Sequence, residues 1–165
     1  MKNLLALIGL FLASALFAED VPKSSRLRVL IVGDTYAENI GQNAIVSRDK
    51  LVEVLDEIFL DPQKPQRRFK RTMDIMGQDE PPTPQAILNY YQNLEVASDE
   101  TLLFYYFGHG GTDPDRGHFL DMSGGALLRS ELRDAMTNKG ARHVVIVTDA
   151  CSNYAPFTPR DRKVP

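Results

Sequence analysis

At 165 residues the chain is long enough for one domain with a proper core and too short for two. Its 43% hydrophobic and 25% charged residues are ordinary for a globular protein. A net charge of −3 and the absence of tryptophan argue against a nucleic-acid or anionic-membrane binding surface.

The chain opens on Met1-Lys2-Asn3, with one positive charge, followed by a stretch from Leu4 to Phe17 that is apolar or small throughout. Charge begins after Ala18, at Glu19-Asp20. This pattern predicts a signal peptide over residues 1–18, cleaved after Ala18 or Ala15, and hence a periplasmic or secreted protein. The stretch is short for a membrane span, so none is expected after cleavage; an uncleaved anchor is the alternative. Residues 19–26 read as a linker.

The run Leu27-Arg28-Val29-Leu30-Ile31-Val32-Gly33 predicts the first strand, and Gly33-Asp34-Thr35 a turn. From Gln42 to Phe59 apolar residues recur at helical spacing, and Asp61-Pro62 and Pro65 stop the helix. Arg67 to Met76 is a weaker strand, ended by Gly77 and Pro81-Pro82. Thr83-Pro84 supplies a cap and first-turn proline for a helix through Leu94. Thr101 to Phe107 is a strand, and Gly108 to Gly117 a polar loop. His118–Met122 and Ala126–Leu128 form a hairpin through Ser123-Gly124-Gly125. Ser130 is expected to cap a helix reaching about Lys139, stopped by Gly140, before a last strand from His143 to Asp149. Alternation of strand and helix predicts an α/β fold, a three-layer sandwich with a mostly parallel central sheet. Nothing after Cys151 reads as strand or helix, so the ending resembles that of a fragment or shortened variant.

Two strands end in chemically loaded segments: Phe107-Gly108-His109-Gly110-Gly111 and Thr148-Asp149-Ala150-Cys151-Ser152. Parallel strands would bring both segments to one edge of the sheet, where open α/β sheets build their sites. A thiol becomes a good nucleophile near neutral pH when an imidazole takes its proton, and the chain has a single cysteine. His109 and Cys151 are therefore the expected pair.

These segments resemble the His-Gly and Asp-x-Cys motifs of caspase-like cysteine peptidases, most closely the metacaspase branch. The resemblance runs from Leu27 to Tyr154, is specific at the two motifs, and implies a catalytic, large-subunit domain over residues 27–154 with a tail from 155 to 165. It implies peptide-bond hydrolysis with His109 as general acid and base, Cys151 as nucleophile, and an oxyanion hole made by the backbone N–H groups of Gly110 and Cys151. It also implies that Asp149 lines the primary specificity pocket and favours cleavage after Arg or Lys. No cofactor is required for this chemistry, and calcium activation is a family trait. The partner would be a polypeptide substrate.

The chain departs from the family after the nucleophile, where Ser152-Asn153-Tyr154 replaces a Cys-His-Ser-Gly or Cys-Arg-Gly continuation. The alternative reading is accordingly an inactive caspase-like module that binds or scaffolds. Asp113, Asp115 and Asp121 read as a solvated acidic loop rather than an EF-hand. His118 and His143 read as ordinary hairpin and strand residues. The Gly-rich turns match neither a dinucleotide-binding nor a P-loop pattern.

Overall fold

Long apolar runs without polar alternation suit strands buried on both faces, and the middle of the central sheet is built from such runs. In the computed structural model, which describes residues 26–60, 70–155 and 157, four strands form this sheet: β1 (Arg26–Gly33), β2 (Lys70–Met76), β3 (Thr101–Phe107) and β7 (His143–Asp149). All are parallel, in the order β2-β1-β3-β7. The signal segment, most of the linker, the Asp61-Pro62 and Pro65 helix stop, the start of the weak strand and most of the tail lie outside the described residues.

Alternate residues of β1 enter different cores. Val29 and Ile31 pack with Ala44 and Leu55 of α1 (Gly41–Leu60). Leu30 and Val32 pack with Ile87 and Tyr91 of α2 (Pro84–Asn93) and with Leu132 and Met136 of α3 (Arg129–Thr137). Helices thus cover both faces of a parallel sheet, an α/β arrangement compatible with a three-layer sandwich. Among the described residues no helix is long and apolar enough to cross a membrane.

A second, antiparallel sheet carries β4 (His109–Asp113), β5 (Gly117–Met122) and β6 (Gly125–Leu128). The sequence reads residues 108–117 as loop, yet His109–Asp113 form β4 and Gly117 opens β5. Glycine-rich segments have low strand propensity; here pairing with β5 supplies what propensity lacks. The expected hairpin is β5–β6. Thr83 caps α2 as expected, its side chain accepting from the Ala86 amide at 3.1 Å. Ser130 does not cap α3: the helix starts at Arg129, and Glu131 reaches back to the Leu128 amide at 3.3 Å. A first-turn carboxylate thus satisfies the amide of the residue at the cap position, Leu128.

Candidate active site

Strands β3 and β7 run in register to their C-terminal ends, pairing Phe107 with Asp149. The Gly108 amide continues the pairing by donating to the Asp149 carbonyl at 3.2 Å. The two predicted segments therefore leave the sheet side by side. Beyond them lies a cavity of about 400 Å³ lined by His109, Asp149 and Cys151. Its other wall comes from the start of α1, with Asn43 and Ser47 as polar members beside Ile40 and Ala44. Cys151 and Asp149 are exposed and His109 is half-buried.

Gly110 sits where only glycine fits. A Cβ there would stand 2.9 Å from both the Ala150 Cβ and the Cys151 carbonyl oxygen, so the backbone on either side of the cavity is in close approach. Backbone groups of an antiparallel strand alternate in direction. Thr112 turns its N–H and C=O away from β5, donating to the Asn153 carbonyl at 2.9 Å and accepting from the Ala155 amide at 3.0 Å. Gly110, two residues earlier, must direct its N–H to that same side, toward Cys151.

The chain past Cys151 is tied to this hairpin rather than trailing free. Thr112 and Tyr154 form a parallel bridge, and the Thr112 hydroxyl donates to the Ser152 carbonyl at 3.2 Å. The Phe157 amide donates to Asp113 at 2.7 Å, while the Phe157 ring stands edge-on to Phe119 at 5.5 Å and lies 5.0 Å from the Arg116 guanidinium. Burial first, and then the Arg129 charge, push the His118 imidazole on β5 below the ordinary imidazole range, against the opposing pull of the Cys151 main chain.

Two buried groups brace the site from beneath. The Tyr106 hydroxyl lies 3.1 Å from the carbonyls of His109 and Asp121, which face each other across β4 and β5. The buried Asp34 carboxylate, at the end of β1, accepts from the Ser123 amide at 3.1 Å and its hydroxyl at 2.7 Å, fastening the β5–β6 turn.

Main-chain amides engage both oxygens of Asp113. Its Oδ1 accepts from the amides of Asp115 and Arg116 at 2.9 and 2.8 Å, and its Oδ2 from Phe157. Those bonds, the Phe157 amide foremost, hold its carboxyl below the usual range. Among the described residues no three His, Cys, Asp or Glu side chains gather as a metal would need.

No protein-family model matches the chain, and no curated protein matches it. The site was legible in part. His109, Asp149, Cys151 and Gly110 stand together, whereas Asn43, Ser47, Thr112 and Tyr106 were not singled out and His118 was read as an ordinary hairpin residue. The polar residues at the start of a helix that follows a buried strand were a usable signal for Asn43 and Ser47.

Proposed function

We propose that the protein is a caspase-like cysteine endopeptidase that cleaves after Arg or Lys, exported by its N-terminal segment. The observation that carries this reading is the convergence of His109, Asp149 and Cys151 on one cavity, with Gly110 in close approach to Cys151. His109 takes the thiol proton as Sγ attacks the scissile carbonyl carbon. The oxygen of the tetrahedral intermediate accepts from the N–H groups of Gly110 and Cys151. Collapse breaks the C–N bond, and His109 returns the proton to the leaving amine. Water, deprotonated by His109, then hydrolyses the thioester and restores the thiol.

The Asp149 carboxylate has no ion-pair partner among the described residues and is available to a cationic side chain entering the cavity. Asn43 and Ser47 would receive the remaining guanidinium or ammonium protons.

One observation favours the alternative, a non-catalytic caspase-like module. Among the described residues the His109 imidazole and the Cys151 thiol make no hydrogen bond to each other, although catalytic pairs often tighten only around substrate. Hydrolysis of Arg-containing and Lys-containing peptides by wild type, His109→Ala and Cys151→Ala decides between them. Turnover lost in both variants supports the peptidase; no turnover in wild type, or turnover retained in either variant, defeats it.

A further inference from the structure

Side-chain burial does little for the residues after Cys151: Ser152 and Asn153 are exposed and Tyr154 keeps 82% of its surface. Main-chain register sets their place instead. Phe107 pairs with Asp149 at the end of the central sheet, and beyond the site Thr112 pairs with Tyr154, again in parallel. Both chains therefore take five residues to pass from one pair to the next, with nothing inserted on either side. The bonds follow the same count. The Gly108 amide donates to the Asp149 carbonyl at 3.2 Å, the Thr112 amide to the Asn153 carbonyl at 2.9 Å, and the Ala155 amide to the Thr112 carbonyl at 3.0 Å. The slanted bonds of Thr112 to the residues on either side of Tyr154 are the parallel pattern. Counted from either end, Cys151 falls level with His109: each stands two residues past the first pair and three before the second.

We propose that Thr112 is a positioning residue for the catalytic pair, holding the segment past Cys151 in the register that β3 and β7 set ahead of it, so that Cys151 stays level with His109. The inference rests on the reading of Cys151 as nucleophile and His109 as its base. At the site itself the two main chains are in close approach, since an added Cβ on Gly110 would lie 2.9 Å from the Cys151 carbonyl oxygen. The bonds that fix the register lie before and after that point. Those after it centre on Thr112: its amide and carbonyl bond to Asn153 and Ala155, and its hydroxyl donates to the Ser152 carbonyl at 3.2 Å. The amide and carbonyl turn away from β5, so the clamp can be weakened without touching the β4–β5 pairing.

The test compares wild type, Thr112→Val, Thr112→Ser, Ala155→Pro and His109→Ala in the full chain, by the rate of Cys151 alkylation with iodoacetamide across the neutral and alkaline range and by kcat and KM on an Arg peptide. Thr112→Val keeps the branched shape and the amide bond and loses only the hydroxyl; Ala155→Pro removes the donor to the Thr112 carbonyl and leaves β4 unaltered. Each is expected to slow alkylation at neutral pH and to lower kcat about three- to tenfold, with KM changed less than about twofold, because displacing a reacting group costs rate before it costs binding. The alkylation deficit is expected to vanish well above the ordinary thiol pKa of about 8.5, where the thiolate forms without help from His109. Thr112→Ser, which keeps the hydroxyl, is expected to stay within about twofold of wild type. Wild-type rates in Thr112→Val or in Ala155→Pro, a deficit that persists at alkaline pH, or a Thr112→Ser as impaired as Thr112→Val overturns the inference. His109→Ala separates the two levels: alkylation indifferent to His109 defeats the dyad and the inference with it, whereas dependence on His109 with indifference to Thr112→Val defeats the positioning role alone. Should one of the two weakening variants not fold, the other carries the test.

Discussion

The buried hydroxyl of Tyr106 lies 3.1 Å from the carbonyl oxygen of His109, three residues along the chain. His109 is therefore anchored by its main chain to the core of the sheet while the residue itself lines the cavity. Gly108 permits this, since a Cβ there would lie 2.2 Å from the Tyr106 oxygen.

Tyr106→Phe keeps the ring and removes the donor shared by two carbonyls. Unfolding in urea is expected to show a loss of about 1–2 kcal/mol, the usual effect of stripping a partner from a buried polar group. Peptide turnover should fall with little change in KM, because the loss falls on the placement of His109. Stability equal to wild type would remove the anchoring role.

Asp34→Ala leaves the Ser123 amide and hydroxyl without their acceptor. A loss of about 2–3 kcal/mol is expected, as for hydrogen bonds to a charged group. Ser123→Ala, which keeps the amide bond, should cost less. The order of the two variants in a thermal melt checks this, and a reversed order would contradict it.

Asp149→Asn is expected to lower kcat/KM on Arg and Lys peptides about 10- to 100-fold, while peptides with a neutral residue at that position change by no more than a few-fold. Equal losses on both kinds of peptide would mean that Asp149 does not select the substrate side chain.

Glu100 carries a pH dependence of stability at the other end of the sheet. Burial alone would raise its carboxyl. The Arg28 hydrogen bond at 2.7 Å, the Ala97 amide, and the charges of Arg28 and Arg26 outweigh that effect and hold it below its ordinary value. The unfolded chain then binds the proton more readily than the folded one. The stabilisation is fully present above the ordinary glutamate value and is lost as pH falls through the depressed one. Glu100→Gln is expected to cost about 2 kcal/mol at neutral pH, less than a fully buried pair because Arg28 retains some exposure. It should also flatten the acid limb of a stability-versus-pH curve; an unchanged limb would assign acid sensitivity elsewhere.

The middle of the central sheet was readable because its strands hold continuous apolar runs, Val29 to Val32 in β1 and Leu102 to Phe107 in β3; the edge strands β2 and β7 hold no buried residue. Thr83-Pro84 marked the start of α2 through local cap chemistry alone. β4 was not readable: Gly110 and Gly111 belong to a strand because β5 lies opposite them and Cys151 beside them, neither of which is local. Ser130 failed as a cap for a similar reason, since the last residues of β6 pass into α3 without the turn that a cap hydroxyl would serve.

How strands alternate with helices, and that His109, Asp149 and Cys151 would meet, could be read from the residues alone, because parallel strands deliver their C-terminal ends to one edge. Burial could not: the Val144–Val147 run looks as buried as β3, yet β7 is an edge strand with no buried residue. Packing decided what surrounds that meeting point: Asn43 and Ser47 across the cavity, Tyr106 beneath His109, and Thr112 holding the Ser152 and Asn153 carbonyls. The cause is range. Alternation is written into each segment, whereas a hydrogen bond between β4 and the chain past β7 exists only once the two sheets have packed and their free carbonyls need partners.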